Sequence, residues 1–398
     1  MKSLKSWQIW LSILLIMLST GYFIKLQSQN DQVNKVTKQV TNTETLETRD
    51  KIASYNKCTQ ESVIEYMSYP EYSSFFRPNN KVGLYIYAEE ERFFKLADNL
   101  VNSNGGDWGY VLIPYNVRDR DNSKWQRVFK DLTKRHLIPI VQLWDVDTKD
   151  YKEDTREAAE FLNSFLWPVK ERYISAYNEP NDSRFWKGRA DPKNYAQVLN
   201  YTIDTFKSEN PNFFMLNGAL NSSAPDGNGY INALSFLYQM NQEIPGIFSK
   251  LDGWASHSYP QPNFSGSPYA SGLLSIKSYE NELAYLKTLD LEKDLPVFIT
   301  ETGWTHAQGE SYNNSFYTAQ QVAEFYRIAF EEIWLKDDRV RAVTPFTVFY
   351  KAPFDHFSWI NNDGVPYEQY EVVKKIKKIK GEPATLQETS LVISDCKE

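Results

Sequence analysis

Two glutamates, Glu179 and Glu301, each close an apolar, β-branched and aromatic run of the chain. A carboxylate that ends a buried strand costs free energy unless it is paired or used. Two of them facing one cleft can break a glycosidic bond. One stays protonated and donates to the leaving oxygen, while the other is ionised and attacks the anomeric carbon or activates water. Their mutual repulsion raises the pKa of the acid, so proximity itself separates the roles. A structural salt bridge at each strand end is the plain alternative.

The surrounding chain has the rhythm needed to position such a pair. Strand-like runs occur at Lys81–Tyr87, Trp108–Tyr115, Leu137–Trp144, Tyr173–Glu179, Asn212–Leu220, Leu251–Tyr259, Pro296–Trp304 and Val340–Tyr350. Helix-period segments fill the intervals: Glu89–Ser103, Asn122–His136, Thr155–Glu171, Pro192–Glu209, Tyr230–Ser249, Tyr279–Glu292, Thr318–Lys336 and Glu368–Lys380. Asp121 and Asp191 stand where helix N-caps belong. Near-continuous apolar strands alternating with amphipathic helices predict an α/β fold, a (β/α)8 TIM barrel, with its site at the C-terminal ends of the strands. A doubly wound open sheet is the alternative, but no Gly-rich phosphate loop follows a strand. On the barrel, Glu179 ends the fourth strand and Glu301 the seventh, so both stand on one mouth.

In this order, Asn178-Glu179-Pro180 on strand four, His257-Ser258-Tyr259 on strand six and Glu301-Thr302-Gly303-Trp304 on strand seven resemble the clan A glycoside hydrolases. This retaining (β/α)8-barrel superfamily has cellulase-, xylosidase- and β-1,3-glucanase-like members. The resemblance spans roughly residues 81 to 380. It implies Glu179 as general acid/base and Glu301 as nucleophile, with Asn178 on the 2-hydroxyl of the sugar at the cleavage point. His257 and Tyr259, two apart and so on one strand face, would contact substrate and hold the nucleophile; simple packing is their alternative role. Trp304 and Trp359 are candidates for sugar stacking. Other aromatic residues expected near the rim are Tyr115, Trp144, Tyr177, Trp186, Phe346 and Tyr350.

Composition is compatible with this. Of 398 residues, 11 are Trp, 26 Tyr and 23 Phe, and flat rings fill cores or line sugar clefts. A net charge of −7 with no dominant basic block argues against nucleic acid as a partner. Two cysteines, Cys58 and Cys396, exclude a disulfide-dense scaffold; the pair could join or stay reduced. The four histidines show no close ligand spacing, so no metal and no cofactor are expected. The lysines at 374–380 read as the basic end of a helix begun by Glu368 and Glu371.

The N-terminus divides differently. Lys2 and Lys5 precede an apolar stretch from Trp7 to Ile24. Residues 1–25 read as a signal anchor, with a cleaved signal peptide as the alternative. Residues 26–56, rich in polar residues with only scattered apolar ones, read as a flexible linker, leaving 57–398 for the barrel domain. The expectation is a retaining hydrolase of a β-linked oligo- or polysaccharide, extracytoplasmic and membrane-anchored, or secreted if the segment is cleaved. A non-catalytic glycan-binding surface protein and a transglycosylase with the same residues are the rival readings.

Overall fold

The computed structural model describes residues 63–66 and 77–389. The expected anchor and linker, Cys58 and Cys396 lie outside the described residues. Among the described residues no helix is long and apolar enough to cross a membrane.

Eight parallel strands alternate with helices. In chain order they are β2 (Gly83–Tyr85), β3 (Gly109–Asn116), β4 (Leu137–Trp144), β5 (Arg172–Ala176), β6 (Phe213–Asn217), β7 (Trp254–His257), β8 (Val297–Glu301) and β9 (Val340–Val343). Strands β2 to β6 form one continuous parallel run and β7 to β9 another. Parallel bridges Leu216↔Gly253 and Val82↔Val343 join the two runs at both seams, closing the barrel. Outside it, β1 (Val63–Tyr66) pairs antiparallel with β10 (Leu386–Thr389).

The barrel interior is filled with side chains, as this fold requires. Tyr110, Tyr173 and Phe298 meet there with ring centroids 5.3–6.4 Å apart, beside Leu112, Ile140, Leu216, Ala255 and Ala342. A second apolar layer, with Trp125, Trp167, Trp254 and Trp334, is buried with residues of the surrounding helices. Burying one large apolar side chain stabilises by about 1.5–3 kcal/mol, so much of the aromatic excess is core.

The helices are α1 (Glu91–Val101), α2 (Asn122–Lys134), α3 (Tyr151–Asn163), α4 (Pro192–Glu209), α5 (Ala233–Glu243), α6 (Ser278–Lys287), α7 (Ala319–Ile328) and α8 (Glu368–Lys375). Asp121 and Asp191 cap α2 and α4, accepting from Lys124 N at 2.9 Å and Asn194 N at 3.1 Å. Several helices stop short of their expected ends, three of them for a visible reason. Helix α3 ends before Trp167-Pro168, since proline disfavours helical backbone in the residue before it. Helix α5 ends at Pro245-Gly246, and a short 3-10 turn, Ile247–Lys250, follows. Helix α8 ends at Lys375 because Lys378 folds back beneath it: its Nζ donates to the carbonyls of Val373, Lys374 and Ile376. The basic run therefore caps its own helix, with one lysine buried in doing so.

Candidate active site

Strand β5 ends at Ala176, and the next residues leave ordinary strand geometry. Tyr177 and Glu179 have φ of +77° and +36°, a region that costs a residue with a side chain about 1–3 kcal/mol. The neighbouring strand end holds this distortion in place. Glu179 N donates to Ala219 O at 3.0 Å, and the Tyr195 hydroxyl bridges Ala176 O and Gly218 N. Gly218 has to be glycine, because a Cβ there would lie 2.5 Å from Ala176 O. The Asn181 side chain then ties the following loop to Asn221 and Ile231.

Glu301 is the last residue of β8. The Tyr259 hydroxyl donates to its Oε2 at 3.0 Å, and Thr302 Oγ1 donates to Ser258 O at 2.6 Å. These bonds lock the end of β8 to the segment after β7. Two residues on, Gly303 (φ +153°) admits the Tyr326 hydroxyl, which a Cβ would meet at 2.6 Å.

His257 stands between the two glutamates. Its Nδ1 is 2.9 Å from Glu179 Oε1, and its Nε2 is 3.6 Å from Glu301 Oε1. One ligand atom from each of the three residues falls within 4.8 Å of the others. Such a donor set could hold a cation, but the imidazole already presents one nitrogen to each carboxylate.

The electrostatics follow from burial. The rise expected for the acid falls on Glu301, the expected nucleophile: desolvation pushes its carboxyl up to about 7, with the Glu179 charge adding to the rise and His257 and Tyr259 opposing it. Burial disfavours the His257 imidazolium, yet the Glu301 and Glu179 carboxylates outweigh that cost and raise its pKa. Burial, then the Glu301 charge, holds the Tyr259 phenol well above its usual range, so it remains a donor.

Asn178 lies beside Glu179, buried, with its Oδ1 accepting from Gln142 Nε2 at 3.1 Å. Gln142 Oε1 in turn accepts from Trp144 Nε1 at 2.8 Å. This relay fixes the amide of Asn178 and leaves its NH2 without an acceptor among the described residues. The structure thus brings Asn178, Glu179, His257, Tyr259 and Glu301 together.

It places Trp304 and Trp359 differently. They are 1% and 0% exposed and pack against Tyr326 at 5.2 and 4.8 Å. Neither offers a ring face to solvent, because these indoles fill the layer behind β8 and β9. Tyr115, Tyr177 and Trp186 are likewise buried. Of the other expected rim rings, Trp144, Phe346 and Tyr350 are half-buried, and the exposed Tyr87 and Phe354 each lie within 6 Å of Tyr350.

Two residues of the site were missed in the sequence. Gln142 carried a usable signal, a polar residue inside an apolar strand near its C-terminal end. Glu282 carried none, since a glutamate on an amphipathic helix reads as solvated. It is in fact buried, and accepts from Trp254 Nε1 at 2.7 Å and Ser256 Oγ at 3.1 Å directly behind His257.

Solved structures resemble this arrangement of strands and helices. A glucosidase from Croceicoccus marinus superposes with a TM-score of 0.53 at 10% identity, covering 75% of this chain and 67% of its own. The likeness is one of fold. An endo-β-1,3-glucanase from Pseudomonas viridiflava gives 0.49 at 13% identity over 75% and 98% of the two chains. A monomeric β-xylosidase from Caulobacter crescentus gives 0.47 at 15% identity over 75% and 68%. No family model matches the sequence, and no curated protein matches it either.

Proposed function

We propose that the chain is a retaining glycoside hydrolase that cleaves a β-linked glycan outside the cytoplasm. The observation that carries this reading is the pair of carboxylates at one barrel mouth, with an oxygen of each within 4.8 Å. Retaining enzymes hold their carboxyl groups about 5–5.5 Å apart, whereas inverting enzymes need about 6.5–9.5 Å to admit a water. The glucosidase, glucanase and xylosidase folds noted above agree with it.

In the first step Glu301 attacks the anomeric carbon as the bond to the leaving oxygen breaks, and Glu179 gives that oxygen its proton. In the second, Glu179 takes a proton from water, whose oxygen bonds to the anomeric carbon and releases Glu301. Tyr259 orients Glu301, and Asn178 meets the sugar. His257 supplies the positive field that lets Glu301 ionise despite its burial. No cofactor is required.

The test is the anomer of the freshly released sugar, followed by NMR on a β-glycan panel. The substrate configuration is expected in the first product, and an inverted product would overturn the reading. Glu301→Gln is expected to abolish turnover. Glu179→Ala is expected to keep activity on substrates with good leaving groups and to be partly restored by azide. The extracytoplasmic site rests on residues 1–25, and protease accessibility on intact cells tests it.

A further inference from the structure

The loops after β8 and β9 form an open pocket of about 320 Å³ that the catalytic reading does not use. Sites for small ligands run from about 300 to 1,000 Å³, so the space is large enough for a sugar ring. It is lined by the rings of Tyr312, Tyr350 and Tyr367 and by three acidic residues, Glu310, Asp355 and Asp363. No lysine or arginine lines it.

The cavity connects to the glutamates through Tyr350. That ring lies 5.6 Å from Phe346, whose backbone N–H donates to Thr302 O at 3.0 Å, next to Glu301. Tyr350 also feels the Glu301 charge, so the cavity borders the catalytic pair through this one shared ring.

The hydrogen-bonding groups of the lining are unevenly spent. Asp355 Oδ2 accepts from Glu310 N at 2.6 Å and so shapes the loop. Among the described residues, the Tyr312 and Tyr367 hydroxyls, the Asn362 amide and the Asp363 carboxylate have no hydrogen-bond partner. Flat rings beside free donors and acceptors match the apolar faces and hydroxyl rim of a sugar. Carboxylates without a neighbouring cation repel an acidic one.

We propose that this cavity is a distal glycan subsite that accepts a sugar residue without an acidic group, neutral or amino, and excludes uronates. The proposal rests on the glycosidase reading, and it makes the substrate a chain rather than a disaccharide.

The test separates the two. Binding is measured by calorimetry on the full-length Glu301→Gln protein with neutral hexaoses (cello-, xylo- and laminarihexaose), with glucosamine hexaose and with the β-linked mannuronate hexamer. At least one neutral or amino hexaose is expected to bind, and the mannuronate hexamer is not. Neutral and amino arms differ only in which non-acidic sugar is preferred, so binding by either supports the subsite. Tyr312→Ala and Asp363→Ala are each expected to weaken the bound hexaose about tenfold; both side chains are exposed, so the fold does not depend on them. The proposal is overturned if no hexaose binds, if the mannuronate hexamer binds as tightly as the others, or if both variants bind like the parent. Turnover of aryl β-glycosides, too short to reach the cavity, tests the catalytic pair alone.

Discussion

His257 has no exposed side-chain surface and places Nδ1 2.9 Å from Oε1 of Glu179. With Nε2 turned to Glu301, one imidazole supplies charge to both carboxylates, and the ionisation of the three groups is linked. Removing the imidazolium leaves Glu301 buried with less positive charge nearby, so its pKa rises further. His257→Gln is therefore expected to move the acidic limb of kcat/KM to higher pH. An unmoved limb would show that the imidazole exerts no field on the nucleophile.

The Tyr259 hydroxyl donates to Glu301 and favours its carboxylate form. Tyr259→Phe keeps the ring and deletes a charge-assisted bond of about 1.5–3 kcal/mol. The expected result is a fall in kcat of about tenfold to a hundredfold, with the acidic limb again shifted upward. A lower kcat with an unshifted limb would leave Tyr259 only a packing role.

The raised pKa of Glu301 also predicts a stability effect. Its folded value of about 7 exceeds the ordinary 4.5, so the folded state binds the proton more tightly than the unfolded chain. That contribution is complete below pH 4.5 and is lost as pH rises through 7. Glu301→Gln is expected to be more stable than the parent at pH 8, by on the order of 3 kcal/mol, with the gap closing near pH 4. Thermal unfolding at the two pH values measures it, and equal gaps at both would contradict the burial argument.

Gln142 touches no reacting atom in this arrangement but holds the Asn178 amide. Gln142→Ala is expected to reduce kcat about fivefold through loss of one hydrogen bond of about 1 kcal/mol. The loss should appear with sugars bearing a 2-hydroxyl and largely vanish with 2-deoxy analogues. Equal losses on both substrates would make Gln142 a structural residue only.

Much of the barrel was legible because its signals are local. A strand buried on both faces needs a continuous apolar run, as in Leu137–Trp144, and a helix start needs an acceptor such as Asp121. The same logic exposes Glu179 and Glu301, since a charge at the end of an apolar strand demands an explanation. Helix ends were less legible where termination depended on what came next. Lys378 stops α8 by turning its ammonium onto the last carbonyls, an act that its sequence context does not show.

The sequence by itself determined the alternation of strands and helices and the strand-end position of Glu301, but it extended two strands too far: Glu179 lies in the turn after β5, which ends at Ala176, and Tyr259 lies beyond β7, which ends at His257. The tertiary structure alone decided which aromatic rings are core. A tryptophan's burial depends on helices distant in the chain, and packing against Tyr326 encloses Trp304 and Trp359. It also decided the separation of Glu179 from Glu301, because only barrel closure brings β5 and β8 to one mouth. The ionisation of Glu301 follows from that closure. Desolvation and the field of His257 are three-dimensional quantities, with no counterpart in the order of residues.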